Sequence, residues 1–283
     1  MKLLICGCFH GKVNSKIFKI IKKEKPDAVL CAGDFSDGKE LRKWEFKYSR
    51  EIDEMLFQGY DWSKIVRMLG DQKECERLEK KDARKALKIL QKLSKIKIPF
   101  YYIYGNHDGC AINHLKKFPK KHKNFHFIPK NILNISDYQI VSYGGYRGTT
   151  GKFHMFDKSK VPKKHIKLVK NLMKHHTKEL TKLFSRKSAT TIFITHDPPY
   201  KTKLDILKLS TDKRFLNKHI GDDVYRKIDE KFQPMLHLCA HMHENQGIDK
   251  IGKTTIINCG ESGHGHFALL TLNEDKISNL KFY

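Results

Sequence analysis

The sequence predicts an α/β fold, because short apolar runs alternate with amphipathic helical patterns along much of the chain. Apolar runs of roughly four to eight residues rich in Val, Ile, Phe and Tyr are typical of buried strands. Strands that alternate with helices indicate a layered fold with at least one partly parallel sheet. Helical patterns lie in "NSKIFKIIKKEK", "DARKALKILQKLSK" and "DDVYRKIDEKF". The predicted strands are "KLLICGC", "DAVLCAGD", "PFYYIYGN", "YQIVSYGG", "TTIFITHD", "MLHLCAH", "KTTIINCG" and "HFALLTLN".

The length of the chain sets the domain organisation that we expect. With 283 residues it is long enough for one large α/β domain that carries a sizeable insertion, so we expect a single domain over 1–283. Residues 39–97 are predicted as a mainly helical insertion, since their apolar residues recur at helical spacing. Such spacing is most often core packing, and a lid or cap role for the insertion is the less common alternative.

The chain is strongly basic, with 56 Lys and Arg against 31 Asp and Glu and a net charge of +25. This charge predicts attraction to RNA, DNA or other phosphorylated partners, although a lysine-biased composition gives the same number. Residues 152–187 are predicted as a basic helical segment with lysines along one face. That face is typical of a solvated surface or of a phosphate-tracking one, with a membrane-surface helix as a third alternative. The candidate nucleic-acid or phosphate contacts are Lys163, Lys167, Lys170, Lys174 and Lys178.

Cysteine usage and hydropathy predict a cytoplasmic protein without a membrane partner. The seven cysteines are odd in number and most lie in apolar strand-like runs, which is typical of reduced, buried thiols. The apolar run that starts at residue 3 is about six residues long, shorter than the ~7–15 residues of a signal-peptide core. No later run of the sequence approaches the ~20 apolar residues of a membrane span.

Metal-ligating side chains directly follow five of the predicted strands. In open α/β sheets the ligand crevice lies outside the carboxyl ends of the strands, so we expect these side chains to converge on one site. Imidazole nitrogen, carboxylate oxygen and thiolate sulfur are donors for zinc, iron and manganese, and a bridging Asp among His and Asn ligands predicts two ions about 3.5–4 Å apart. The candidates are Cys8, His10, Asp34, Asn106, His107, His196, His241 and His243.

The order of these motifs resembles the signature of a known family. The series "CFHG", "GDFSD", "GNHD", "THDPP" and "AHMH" is similar to the pattern of the calcineurin-like metallophosphoesterases, which runs D-x-H, G-D-x-x-D, G-N-H-D/E, H and G-H-x-H. The resemblance covers residues 3 to about 272, outside the insertions. It implies a four-layer αββα sandwich and the metal-dependent hydrolysis of phosphate esters without a covalent enzyme intermediate.

The resemblance also implies a role for each motif residue. His107 matches the family's histidine that contacts the phosphoryl group and helps the leaving oxygen depart, and Asp108 matches the carboxylate that positions it. Asp37 matches a residue outside the ligand set. The implied cofactors are one or two divalent transition metals, Mn, Fe or Zn. The first ion would be held by Cys8, His10, Asp34 and His243, and the second by Asp34, Asn106, His196 and His241.

Cys8 stands where the family has its first aspartate, and this departure leaves three alternatives open. A thiolate keeps the negative charge but is softer, so it favours zinc or iron over magnesium or manganese. Alternatively, Cys8 is a poor ligand beside a weakly filled first site, or the chain is a non-catalytic binding protein. Ala240 replaces the glycine that usually precedes the last motif, which is a small-for-small change.

The same cysteine also resembles a branch of this superfamily, the RNA lariat debranching enzymes, which cleave 2′–5′ phosphodiester bonds. The blocks "GC-x-HG" and "AH-x-H" fit that variant, whereas the third block ends in Asp108 and not in Glu. We therefore expect a metal-dependent phosphoesterase that hydrolyses phosphodiesters of a nucleotide or nucleic acid, with RNA as one candidate partner. The alternatives are a phosphomonoesterase or phosphoprotein phosphatase, and a catalytically impaired, metal-containing nucleic-acid-binding protein.

Overall fold

Two six-stranded sheets pack face to face in the computed structural model, and helices cover their outer faces. The structure describes residues 1–57, 60, 62–145, 161–185, 190–209 and 216–283. The layers run helix, sheet, sheet, helix, which confirms the predicted α/β fold and the αββα sandwich.

The strands of the described residues form two sheets of mixed direction. They are β1 (Lys2–Cys6), β2 (Ala28–Cys31), β3 (Phe100–Tyr102), β4 (Phe125–Phe127), β5 (Lys130–Ile135), β6 (Tyr138–Tyr143), β7 (Thr191–Thr195), β8 (Leu236–Cys239), β9 (Gly247–Ile251), β10 (Thr254–Asn258), β11 (Ala268–Asn273) and β12 (Lys276–Phe282). The first sheet has the order β12-β11-β1-β2-β3-β4 and the second the order β5-β6-β7-β8-β10-β9.

Each sheet has a parallel centre with antiparallel strands beside it. In the first sheet β1 to β4 are parallel, and β11 and β12 extend the sheet in antiparallel fashion. In the second sheet β6, β7, β8 and β10 are parallel, and β5 and β9 are the antiparallel margins. The carboxyl ends of the parallel strands therefore meet at one edge of each sheet.

The helices of the described residues lie outside the two sheets or in the predicted insertion. None of them combines the length and the hydropathy that a membrane span needs. They are α1 (Lys16–Glu24), α2 (Lys39–Lys47), α3 (Ser49–Phe57), α4 (Trp62–Met68), α5 (Gln72–Leu93), α6 (Ile112–Lys117), α7 (Lys163–Phe184) and α8 (Asp223–Phe232).

The alternation of side chains along β1 shows how the layers are joined. Leu3 and Ile5 point into the core between the two sheets, where they join Ile194 of β7. Leu4 and Cys6 point to the opposite face and pack under the helices of the first sheet. Since both faces of β1 are buried, its sequence is a continuous apolar run, as parallel strands with helices on one side require.

The predicted insertion divides into two parts with different roles. Helices α2, α3 and α4 and the start of α5 enclose a separate small core around Trp44, Ile65 and Cys75. The second half of α5 instead packs Ala86 and Leu90 against the outer face of the first sheet. This half lies between the parallel strands β2 and β3 and forms the crossover helix that joins them.

Candidate metal centre

The candidate ligands come from the loops that directly follow β1, β2, β3, β7 and β8. Because these strands end at the same edge, five separate loops bring their side chains together there. The ligand atoms of Cys8, His10 and His243 lie within 4.8 Å of one another, and so do those of Cys8, Asp34 and His196. The structure thus groups the donors at the edge where the strand pattern places them.

Sharp backbone turns aim these side chains. The φ angle is positive at Cys8 (53°), His10 (44°), Asp34 (59°) and His241 (63°). The left-handed region costs a residue other than glycine roughly 1–2 kcal/mol, and residues held there cluster at functional sites. Each of these residues lies within four positions of the end of a strand, so the change in backbone direction comes where the chain leaves the sheet.

One group of donors is centred on His10. Its Nε2 atom lies 2.9 Å from Nε2 of His243 and 3.8 Å from Oδ2 of Asp34. Two ring nitrogens that face each other at this distance share one proton at most, and a cation that replaces this proton meets the lone pairs of both nitrogens. The buried Cys8 completes the group, and its Sγ accepts a hydrogen bond from the backbone N–H of His241 at 3.2 Å.

A second group is centred on His196. Its Nε2 atom lies 3.1 Å from Oδ2 of Asp34 and 2.9 Å from Oδ1 of Asn106. Nδ1 of His241 lies 3.0 Å from the same Asn106 oxygen and 3.3 Å from Nε2 of His196. Asp34 therefore lies between the two groups, in the position that a bridging ligand needs.

The backbone fixes the orientation of the His196 ring. Nδ1 of His196 lies 2.6 Å from the carbonyl oxygen of Ala32 and donates to it, because a carbonyl oxygen only accepts. Metal-binding histidines characteristically donate their second ring N–H in this way. Burial lowers the pKa of His196, but the Asp34 carboxylate, together with Asp197 and the carbonyl of Ala32, raises the pKa to about 10. The space between His196 and Asp34 thus favours positive charge, which a metal ion supplies.

Asp108 holds the loop that carries Asp34. Its two buried oxygens accept backbone N–H bonds of 2.7 Å from Asp34, 2.9 Å from each of the next two residues and 3.1 Å from Gly105. Burial and the Asp34 carboxylate raise the pKa of Asp108 to about 7, and the amide donors oppose this shift. The resemblance implies that Asp108 positions His107, but the structure gives its carboxylate the backbone amides as partners.

His107 lies between the donors and the helix α2. Its backbone N–H donates to Oδ1 of Asp34 at 2.8 Å, and its Nε2 lies 2.8 Å from Nη2 of Arg42. A guanidinium has no acceptor, so Arg42 donates and Nε2 of His107 carries the lone pair. Burial lowers the pKa of His107 to about 3. The Asp34 carboxylate acts to raise this pKa, whereas the charge of Arg42 lowers it further. On the ring's other side, a Cβ added to Gly38 would lie 2.4 Å from Nδ1.

Three charged residues around the donors are missing from the sequence-based prediction. Oδ1 of Asp197 lies 3.4 Å from Nε2 of His241, and Oε2 of Glu261 lies 3.5 Å from Nδ1 of His243. Glu261 follows β10, whose carboxyl end lies at the same sheet edge as the donors. The rule that binding residues follow the carboxyl ends of strands therefore also indicates Glu261. Arg42 has no such signal, because its approach depends on how α2 packs.

A cleft of about 530 Å³ opens beside the donors. Its lining includes His10 and His243 together with side chains of α2. Asp37 also lies on this cleft, where Nζ of Lys85 is 2.9 Å from its Oδ1. Asp37 therefore stays outside the donor groups, as the resemblance implies. The cleft-lining residues of α2 are Lys39, Arg42, Lys43 and Phe46.

The lysine face predicted within residues 152–187 lies on α7, while residues 152–160 and 186–187 fall outside the described residues. The buried side of α7 packs on the outer face of the second sheet. The lysines are absent from the lining of the cleft. Their role as phosphate contacts stays a prediction. All of them are exposed, namely Lys163, Lys167, Lys170, Lys174 and Lys178.

Comparisons with known proteins agree with this fold. Residues 1–245 match the model of the calcineurin-like phosphoesterase family. The protein MJ1162 of Methanocaldococcus jannaschii is 27% identical over 180 residues, which are 62% of this chain and 70% of that protein. The crystal structure of TT1561 of Thermus thermophilus is 14% identical with a TM-score of 0.55, and 100% of this chain and 97% of that chain are covered. A further crystal structure is 16% identical with a TM-score of 0.69, and 99% and 98% of the two chains are covered.

The family match spans more than half of the chain and includes every strand end that carries a donor. The chain belongs to the calcineurin-like phosphoesterase family. Members of this family are hydrolases of phosphate esters that use divalent metals, and the grouped donors agree with that chemistry. At their low identity, the two crystal structures show the shared fold.

Proposed function

We propose that the protein is a metal-dependent phosphodiesterase that acts on a nucleotide or a nucleic acid. The observation that carries the proposal is the pair of donor groups around Asp34, which lie beside His107 and next to a basic cleft that His10 and His243 help to line. In this proposal the first ion is held by Cys8, His10, Asp34 and His243, and the second by Asp34, Asn106, His196 and His241.

The donors fit divalent transition metals. Imidazole and thiolate favour zinc or iron, and the carboxylate and amide oxygens also suit manganese. When bound, such cations neutralise phosphoryl oxygens and lower the pKa of a water toward neutrality, which is the chemistry that ester hydrolysis needs. Asp108 supports the site by holding the amides of the Asp34 loop, so that its carboxylate stays between the two groups.

His107 is the residue that we assign to the leaving oxygen. In the structure its Nε2 accepts a hydrogen bond from Arg42, so this atom has no proton to give. A phosphate group is a stronger acceptor for a guanidinium than a neutral ring nitrogen is. When Arg42 turns to a bound phosphate, His107 loses a cation that lowers its pKa and gains an anion that raises it, so Nε2 can take a proton from water and pass it to the departing oxygen.

The preference for a diester rests on the extent of the cleft. Its lining includes His10 and His243 as well as Phe46, and its volume of about 530 Å³ leaves room for groups on both ester oxygens. A monoester needs only part of this space. The two lysines of α2, Lys39 and Lys43, also line the cleft and suit an extended anion.

The test is turnover by the protein loaded in turn with Mn, Fe and Zn. An aryl phosphodiester and the matching aryl phosphomonoester are compared at equal concentration. Faster turnover of the diester supports the proposal, whereas faster turnover of the monoester favours a phosphatase. If the metal-loaded protein hydrolyses neither substrate, it is a binding protein. Cleavage of a branched 2′–5′ RNA would show that the resemblance to the debranching enzymes at Cys8 extends to the substrate.

We also propose a cytoplasmic location, which rests on the thiols. All seven cysteines are free, and all but Cys110 are buried. Free thiols in this number are typical of a reducing compartment. Fractionation of cells that express the protein is the direct test.

A further inference from the structure

One face of α2 carries three cations and an aromatic ring at helical spacing. Lys39, Arg42, Lys43 and Phe46 occupy positions i, i+3, i+4 and i+7, and all four are exposed and line the cleft. The other face of the helix buries Trp44 in the small core of the insertion. The buried face therefore anchors the helix, and the opposite face presents these four side chains to the cleft.

We infer that α2 is the recognition wall for a single-stranded oligonucleotide, with Arg42 on a backbone phosphate and Phe46 against a base. The inference rests on the proposed phosphodiesterase function and names its substrate class. It assigns substrate recognition to the insertion, whereas the donor groups come from the sandwich.

Arg42 is the α2 cation that reaches the donor groups. Its Nη2 lies 2.8 Å from Nε2 of His107, and no carboxylate among the described residues pairs with its guanidinium. The planar fork of a guanidinium matches two phosphate oxygens at once, which a ring nitrogen does not offer. A phosphodiester group bound beside His107 therefore draws Arg42 toward itself.

Phe46 is placed one turn farther along the same face. Its side chain is 75% exposed, so it contributes little to the core of the insertion. Cationic grooves lined by aromatic side chains bind single strands, because the cations follow the backbone while bases stack on the rings. In a duplex the bases are already stacked on each other, so the arrangement favours an unpaired strand.

The other lining residues keep the cleft positive. Lys12 adds a further cation, and the acidic Asp37 is paired with Nζ of Lys85 at 2.9 Å. The second acidic lining residue, Glu261, lies 2.8 Å from Nδ1 of His264 and 3.5 Å from Nδ1 of His243. Its charge is directed at two imidazoles, so the path along α2 remains favourable to an anionic backbone.

The test is the binding of a fluorescein-labelled, phosphorothioate-linked single strand to the metal-loaded protein, followed by fluorescence anisotropy across salt concentrations. Phe46→Ala is expected to weaken binding about tenfold, and Phe46→Trp to restore it, because stacking on one aromatic ring has this size. Arg42→Ala is expected to lower the slope of log K against log salt by ~0.7, the contribution of one single-strand phosphate contact.

Matched controls lie on the same insertion segment but away from the cleft. Met68→Ala removes another exposed apolar side chain, and Arg84→Ala removes another exposed arginine. Both are expected to keep the wild-type affinity and salt slope. Phe46 and Arg42 are exposed, so their variants retain the fold, which the thermal unfolding midpoint verifies.

Three results would overturn the inference. They are equal affinities of wild type and Phe46→Ala, equally tight binding of a duplex, and an unchanged salt slope in Arg42→Ala. Turnover of a small aryl diester separates this inference from the proposed function. Wild-type protein that hydrolyses the diester but binds no strand contradicts the inference alone, whereas absence of diester turnover with every metal contradicts the proposed function itself.

Discussion

The sulfur of Cys8 accepts a hydrogen bond from the backbone N–H of His241 at 3.2 Å, which ties the loop after β1 to the loop after β8. The contact keeps the thiol beside His10 and His243. Burial and the nearby Asp34 carboxylate raise the pKa of the Cys8 thiol well above its usual range, and the amide opposes them in part. A thiol in this setting is unreactive by itself, and its use as a ligand requires a cation that displaces its proton.

His107→Ala tests the assignment of the proton donor. We expect hydrolysis of an aryl diester to fall about 10²-fold or more, because general acid assistance is lost, while the metal content stays unchanged. Turnover is measured beside metal analysis of the same preparation. A wild-type rate would remove His107 from this role. Loss of metal would instead place it among the ligands, since its ring nitrogen lies within 4.8 Å of ligand atoms of His10 and Asp34.

Gly38→Ala tests whether the start of the insertion sets the position of His107. The added Cβ would lie 2.4 Å from Nδ1 of His107, so the ring must move and turnover is expected to fall with metal content unchanged. Gly70→Ala is the matched control, because Gly70 has a similar positive φ of 70° against 56° but no heavy atom within 4 Å of the added Cβ. Both variants place alanine at a positive φ, which strains the backbone. Only Gly38→Ala also brings the added Cβ into a clash with His107. Equal turnover in the two variants would contradict the role of Gly38.

Asp108→Ala tests the support of the Asp34 loop. The substitution leaves four buried backbone N–H groups without their acceptor, so we expect a loss of several kcal/mol, about 1–3 kcal/mol for each group that stays unpaired, together with reduced metal content. Asp108→Asn retains one acceptor oxygen and is expected to lose less. Urea unfolding and metal analysis give the two readouts. Wild-type stability of the alanine variant would show that the amides find other partners.

The pH dependence of stability has a testable component at Asp71. Hydrogen bonds from Tyr48 at 2.8 Å and Trp44 at 3.1 Å hold the pKa of the Asp71 carboxyl below its usual range and join α2 to the start of α5. Because this folded-state pKa is lowered, the stabilisation is complete above the unfolded value of ~3.9 and is lost as the pH falls through the folded value. We expect the difference in urea midpoint between wild type and Asp71→Asn to shrink on acidification below about pH 4. A difference that does not change with pH would contradict this linkage.

The strands that the sequence predicts and those that it misses differ in their place in the sheet. All eight predicted strands are interior, whereas the missed strands β4, β5, β9 and β12 are the four sheet edges. Interior parallel strands are buried on both faces and read as continuous apolar runs. The edge strand β12, "KISNLKF", has no fully buried residue, and β4 has only three residues, so neither shows a run that hydropathy can detect.

Local sequence predicts the position of the donor residues, but it does not predict the residues that surround them. A ligand such as Asp34 directly follows an apolar strand, so local sequence fixes its place at the sheet edge. The contact between Arg42 and His107 joins residues 65 positions apart and depends on the packing of α2. The hydrogen bonds of Asp108 to residues 34–36 likewise arise from the close approach of two loops, which no local pattern encodes.

The number and identity of the metal ions in wild-type protein and in Cys8→Ala, measured by mass spectrometry on the purified chains, test the central claim most directly. We predict two divalent ions for each wild-type chain, with zinc or iron in the group that contains Cys8, and the loss of one ion in Cys8→Ala. Cys8→Asp is expected to restore the second ion and to widen the choice to manganese. Two ions retained in Cys8→Ala would remove the sulfur from the ligands, and wild-type protein that takes up no divalent metal would contradict the metal centre itself.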